Sequence, residues 1–147
     1  RLSLMADLAD ALVNDELYLV YQPKVELGAD SISGVEALLR WNHPTRGDVP
    51  PGRFMPYVEQ TDLINLITEH VLRTTMAQLR EWRDRGIEVP IAVNLSARSC
   101  HDLRFPDRVA ALFEEFDVPS HLLQLEITEN ALMSDPHRAA IVIATCV

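Results

Sequence analysis

From Val35 onward the chain alternates strand-like and helix-like segments, and this alternation constrains the fold more than any other feature of the sequence. Residues 34–41 (GVEALLRW) read as a strand. Ile64, Ile67, Val71, Leu72, Leu79 and Trp82 then recur with a period near 3.6 and stop at Gly86, the expected residue type just past a helix C-terminus. Residues 90–96 (PIAVNLS) read as a short buried strand, and Pro106 opens a helix with Val109, Leu112, Phe113 and Phe116 inward. Residues 122–128 (LLQLEIT) form the next strand, and Asp135-Pro136 starts a further helix. Such an order is that of a parallel α/β fold. Upstream, Leu4, Leu8, Leu12 and Val13 predict an amphipathic helix ending near Asn14. Residues 17–27 (LYLVYQPKVEL) predict a strand whose short link to 34–41 makes an antiparallel pair. The stretch 42–53, with Pro44, Gly47, Pro50, Pro51 and Gly52, reads as a loop that no helix or central strand tolerates.

In α/β folds the loops at the carboxyl ends of the strands face one space, where chemistry gathers. Those ends carry Glu36 with Arg40, Asn94 with Ser96, and Glu126 with Glu129. An unpaired carboxylate buried among apolar strands is costly or shifts its pKa, and a hard divalent cation resolves the conflict. Two carboxylates and an amide oxygen make a partial shell for Mg²⁺ or Mn²⁺. Each acid taken singly reads equally well as a helix cap or an arginine partner. Arg40 either closes an ion pair with Glu36 or holds a substrate phosphate bidentately, and the sequence leaves both open. His43, His70, His101, His121 and His137 share no spacing and have no nucleophile elbow nearby, so they read as structural or solvent-exposed. Glu114 and Glu115 read as a solvated helix face.

Charge narrows the ligand class. A net charge of -9 with Lys24 as the sole lysine argues against a nucleic-acid polymer, which needs clustered basic residues. An acidic chain that handles a small phosphate ester needs placed arginines or a metal ion. Of the 147 residues 48% are apolar and 24% charged, enough for one folded core. No run approaches the roughly 18 apolar residues of a membrane span, and the amino terminus has no secretory layout, so no membrane contact and a cytoplasmic location are expected. Cys100 and Cys146 match no metal spacing and read as buried thiols.

Glu36-Ala37-Leu38-Leu39-Arg40-Trp41 resembles the motif that gives EAL domains their name. Tyr21-Gln22-Pro23-Lys24 resembles that family's YQP strand, Phe54-Met55-Pro56 with Glu59 its F-I-P-x-x-E segment, Asn94-Leu95-Ser96 its N-x-S strand, and Glu126-Ile127-Thr128-Glu129 its E-x-T-E strand. The resemblance implies the first four strands of a (β/α)₈ TIM-like barrel whose first strand runs antiparallel to the others. It implies hydrolysis of cyclic di-GMP to linear pGpG with Mg²⁺ or Mn²⁺. Carried over, Glu36, Asn94 and Glu126 are expected as metal ligands and Gln22 and Arg40 as substrate contacts. Glu36 and Glu129 are expected in the catalytic set, Glu129 by steadying the loop that shapes the metal site and a dimer interface. A homodimer and an upstream GGDEF domain in a parent chain are further implied partners. Residues 1–16 are then a linker helix and 17–147 a truncated EAL domain.

The family pattern continues with a D-D-F-G strand end, a catalytic lysine, a further glutamate ligand and a glutamine, none of which occurs here. The run from Ala139 to Val147 is nearly uncharged where the family shows an amphipathic helix, which suggests a truncated or frame-shifted end, or a fragment boundary. Four strands of eight close no barrel and leave an unpaired edge. The expectation is therefore a phosphodiesterase module inactive as this chain alone. The alternatives are a degenerate EAL module acting as a cyclic di-GMP receptor, and a plain interaction domain.

Overall fold

The structure, a computed structural model, describes residues 2–28 and 30–146, with side chains for 4–28 and 30–144. Helix α1 (Leu2–Val13) is followed by β1 (Leu17–Val25) and β2 (Ile32–His43). After β3 (Gly47–Val49) come α2 (Pro51–Val58) and the long α3 (Leu63–Asp84). Strand β4 (Ile91–Leu95), α4 (Ala97–Cys100) and α5 (Phe105–Phe116) precede a 3-10 turn at Ser120–Leu122. The chain continues through β5 (Leu123–Ile127), α6 (Glu129–Ser134) and α7 (Pro136–Cys146).

One sheet of order β1-β2-β4-β5 results, with β3 paired to β2 off that path. β1 runs antiparallel to β2, whereas β2-β4 and β4-β5 are parallel, as the sequence implied. Helix α3 crosses from β2 to β4 and α5 from β4 to β5, the crossover that parallel neighbours require.

One face of this sheet holds the helices. Val35, Ala37, Ile91, Val93 and Leu95 pack with Leu72, Met76 and Leu79 of α3, Val109 and Leu112 of α5, and Ala139 and Val142 of α7. A second cluster joins Leu17 and Trp41 to Leu4, Leu8 and Ala11 of α1 and to Phe54 and Val58 of α2. Every strand residue in both clusters is odd-numbered, so the even-numbered side chains of β1, β2, β4 and β5 point to the opposite face. Trp41 is fully buried, edge-on to Phe54 at 5.2 Å between ring centroids, with its indole N–H donated to Glu16.

Local chemistry accounts for the ends of these elements. At the end of α3 the Ile87 amide donates to the Trp82 carbonyl and the Gly86 amide to that of Arg83, a Schellman closure that requires Gly86 at φ +79°. Ser96 and Thr128 cap α4 and α6 through Ser99 N–H and Ala131 N–H, each at 3.2 Å. Asp135 accepts from Arg138 N–H with Pro136 following, so α7 begins where the sequence placed a start.

One expectation is corrected. Residues 42–53 are not one loop: β3 and the start of α2 lie within them. Gly47 supplies φ +70° for the turn back onto β2, and Pro51 sits at the N-terminal position of α2, where its missing N–H costs nothing. The uncharged run near the end continues as α7, with Ala139 and Val142 one turn apart on the inward side. Cys100 is buried as expected, whereas the side chain of Cys146 lies outside those described. Among the described residues no helix is long and apolar enough to cross a membrane.

Candidate functional site

The register brings polar residues from four strands onto the face opposite the helices. Gln22 pairs with Glu36, Glu36 with Ala92, and Asn94 with Glu126, and residues opposite one another point the same way. Gln22, Lys24, Glu36, Arg40, Asn94 and Glu126 thus share one surface. The Asn94 amide Nδ2 donates to Glu36 Oε2 at 3.0 Å, and Lys24 Nζ donates to Glu126 Oε1 at 3.1 Å. Two carboxylates and one amide from three consecutive parallel strands are the groups that could hold a cation here. Among the described residues, no three His, Cys, Asp or Glu side chains converge.

Arg40 stands two pleat repeats beyond Glu36, toward the carboxyl end of β2. Its Nη1 donates to the Leu39 carbonyl at 3.0 Å, and no ion pair with Glu36 forms. The guanidinium borders a cavity of ≈ 290 Å³, lined also by Asn94, Ser96, Thr128, Met55 and Glu59. Ile64, Ile67 and Val71 of α3 also line it.

Gln22 is solvent-exposed and lies opposite Glu36 in the strand pairing. Tyr21, its neighbour, faces the other way with its ring 5.6 Å from that of Trp82, and burial pushes its phenol pKa up. Glu129 is the first residue of α6 and exposed, where the helix N-terminus favours its charge. Among the described residues it forms no hydrogen bond with Glu36, Asn94 or Glu126. Three participants, Lys24, Met55 and Glu59, were read in the sequence only as members of motifs. Glu59 with Met55 entered the cavity wall through α2, a helix hidden by its prolines. The histidines stay out of this surface: His43 is bonded to Asp7, and His101 Nε2 to the Ala131 carbonyl.

The family model of the EAL domain matches residues 5–146. The chain belongs to the EAL domain family. This EAL chain is 40% identical over 134 residues to a cyclic di-GMP phosphodiesterase of Pseudomonas aeruginosa, covering 90% of the chain and 23% of that protein. It is 43% identical over 145 residues to the bifunctional diguanylate cyclase/cyclic di-GMP phosphodiesterase MucR of the same organism, covering 97% of the chain and 21% of MucR. The chain thus spans about a fifth of the length of these relatives. Among solved structures, the MucR phosphodiesterase in its c-di-GMP complex superposes with a TM-score of 0.93 at 39% identity, over 98% of this chain and 59% of that one. The open sheet with an antiparallel first strand is accordingly the first part of an EAL-type TIM-like barrel.

Proposed function

We propose that this EAL domain serves hydrolysis of cyclic di-GMP to pGpG, with Glu36, Asn94 and Glu126 holding Mg²⁺ or Mn²⁺ and Gln22 and Arg40 holding the substrate. The observation that carries the proposal is the convergence of Glu36, Asn94 and Glu126 on one face, with Arg40 unpaired from either carboxylate beside a cavity. The donor set fits such an ion. It is all oxygen once the Asn94 amide turns its Oδ1 inward, an orientation that swaps the two ends of one planar group. One of its carboxylates already takes a positive charge from Lys24. Mg²⁺ is commonly bound by one or two carboxylates and keeps waters in its remaining positions.

Bound there, the cation would neutralise a phosphate oxygen and acidify a water. The chain's own groups then divide the remaining work. Arg40 offers a planar fork to a phosphate and holds it near Glu36. The apolar side chains that line the cavity would exclude water from a base held there. Hydrolysis adds water across one P–O bond of the cyclic dinucleotide and opens the ring.

Glu129, an upstream GGDEF domain and a homodimer belong to the same reading, as does the absence of turnover by these 147 residues alone. The test is cyclic di-GMP hydrolysis with Mg²⁺ or Mn²⁺ by the chain and by the protein extended through further strands, each with Glu36→Ala. Turnover in the extended protein that Glu36→Ala abolishes supports the reading. Binding without turnover in the extended protein replaces it with a receptor.

A further inference from the structure

Lys24 and Glu126 stand on β1 and β5, the first and last strands of the order β1-β2-β4-β5, and are 102 residues apart in sequence. Their contact therefore spans β2 and β4, and the sheet must curl for the two side chains to meet. Beneath this span lie Glu36 and Asn94, already bonded to each other. Each of the two carboxylates thus carries one nitrogen donor: an amide on Glu36 and an ammonium on Glu126. Both nitrogens occupy carboxylate oxygens that a cation would need.

We propose that Lys24 is a positioning residue that occupies the place of the divalent cation on Glu126, so that the cation binds by displacing the Lys24 ammonium. This rests on the metal reading above. Three observations support it beyond the distance. Lys24 is the sole lysine of a chain that uses arginine for every other cationic side chain. A compact ammonium on a flexible stem leaves a carboxylate more readily than a planar guanidinium fork. Finally, the side chains of Lys24 and Glu126 are 35% and 41% exposed, so the pair can open into water at little cost. Without the ammonium, Glu36 and Glu126 face one space with no positive charge between them; with it, the empty site is held in shape.

The experiment measures Mn²⁺ affinity of the chain by the free-ion electron paramagnetic resonance signal, for wild type, Lys24→Met, Lys24→Gln, Lys24→Arg and Glu36→Gln. Lys24→Met and Lys24→Gln should bind about two- to fivefold more tightly than wild type, the range of a competing half-exposed ion pair. Lys24→Arg, which keeps the competitor, should bind no more tightly. Because the lysine is unique, a lysine-¹³C-labelled sample gives one side-chain signal, and Mg²⁺ should move it toward the position of a free lysine. Equal or weaker binding by both neutral variants overturns the proposal while leaving the metal reading intact, provided Glu36→Gln still loses affinity. Wild-type affinity in Glu36→Gln, or no binding by any variant, overturns both.

Discussion

Asp7 of α1 accepts a hydrogen bond from Nε2 of His43 at 2.7 Å, across 36 residues of sequence. The other ring nitrogen, Nδ1, accepts from the backbone N–H groups of Thr45 and Arg46, both at 3.1 Å, so the ring proton resides on Nε2. His43 is buried at the end of β2, three residues beyond Arg40. Helix α1 is thereby tied to the strand that carries Glu36 and Arg40. Asp7→Ala leaves a buried N–H without its acceptor and should cost about 1–3 kcal/mol. Asp7→Asn keeps an acceptor and should cost less, which urea unfolding of the two variants checks.

Gly34 lies two residues before Glu36, and a Cβ there would stand 3.0 Å from the Pro90 carbonyl oxygen. That oxygen also accepts from Val35 N–H at 2.9 Å, so backbone on both sides holds it in place. Gly34→Ala should push β2 away from the entry to β4 and destabilise the chain by about 1–3 kcal/mol. Unfolding midpoints measure the loss, and weaker Mn²⁺ binding should accompany it because Glu36 shifts with its strand.

Arg73 of α3 and Glu115 of α5 form a two-pronged ion pair, and Arg73 lies 5.4 Å above the ring of Phe116. The hydrogen bond to Arg73 holds the Glu115 carboxyl below its ordinary value of 4.5. With the folded pKa depressed, the pair's contribution is fully present above that ordinary value and disappears as pH falls through the folded one. Both groups are exposed, so the contribution is small. Glu115→Gln should lower the melting temperature slightly at neutral pH, and the difference from wild type should vanish in acid.

Thr75 is fully buried in α3, and its hydroxyl finds no hydrogen-bond partner among the described residues. Thr75→Val keeps the shape and the β-branch while removing the unpaired oxygen. A gain of about 1 kcal/mol in unfolding free energy is expected. A loss would reveal a partner for the hydroxyl, such as a buried water.

Arg40 carries no ion pair among the described residues, so Arg40→Ala should leave the melting temperature nearly unchanged. If it holds a phosphate of cyclic di-GMP, the same change should weaken binding about 10- to 100-fold, the range for losing a charge-assisted pair. Arg40→Lys should restore only part of this, since an ammonium cannot form the bidentate fork. Calorimetry on the domain distinguishes the two effects.

Periodicity sufficed wherever a segment was long. The apolar stripe of α3, the helix opened by Pro106 and the strands at β1, β2, β4 and β5 are legible because each buries one face along its own length, a local property. Glu36, Asn94 and Glu126 stood out as polar groups interrupting apolar strands, whereas the place of Lys24 beside Glu126 did not. Short elements were not legible. β3, α2, α4 and α6 are too brief to show a period, and in α2 the prolines that mark a loop in sequence instead begin a helix and lie within it.

Only the tertiary structure decided which polar groups meet. Strand register placed Asn94 beside Glu36, while the Arg40 guanidinium turned to the Leu39 carbonyl rather than to Glu36. The curl of the sheet carried Lys24 across to Glu126, and the docking of α1 joined Asp7 to His43. The physical reason is range. Propensity and burial act between residues a few positions apart, whereas a hydrogen bond between side chains 36, 58 or 102 residues apart exists only once the whole sheet and its helices have fixed where each strand lies.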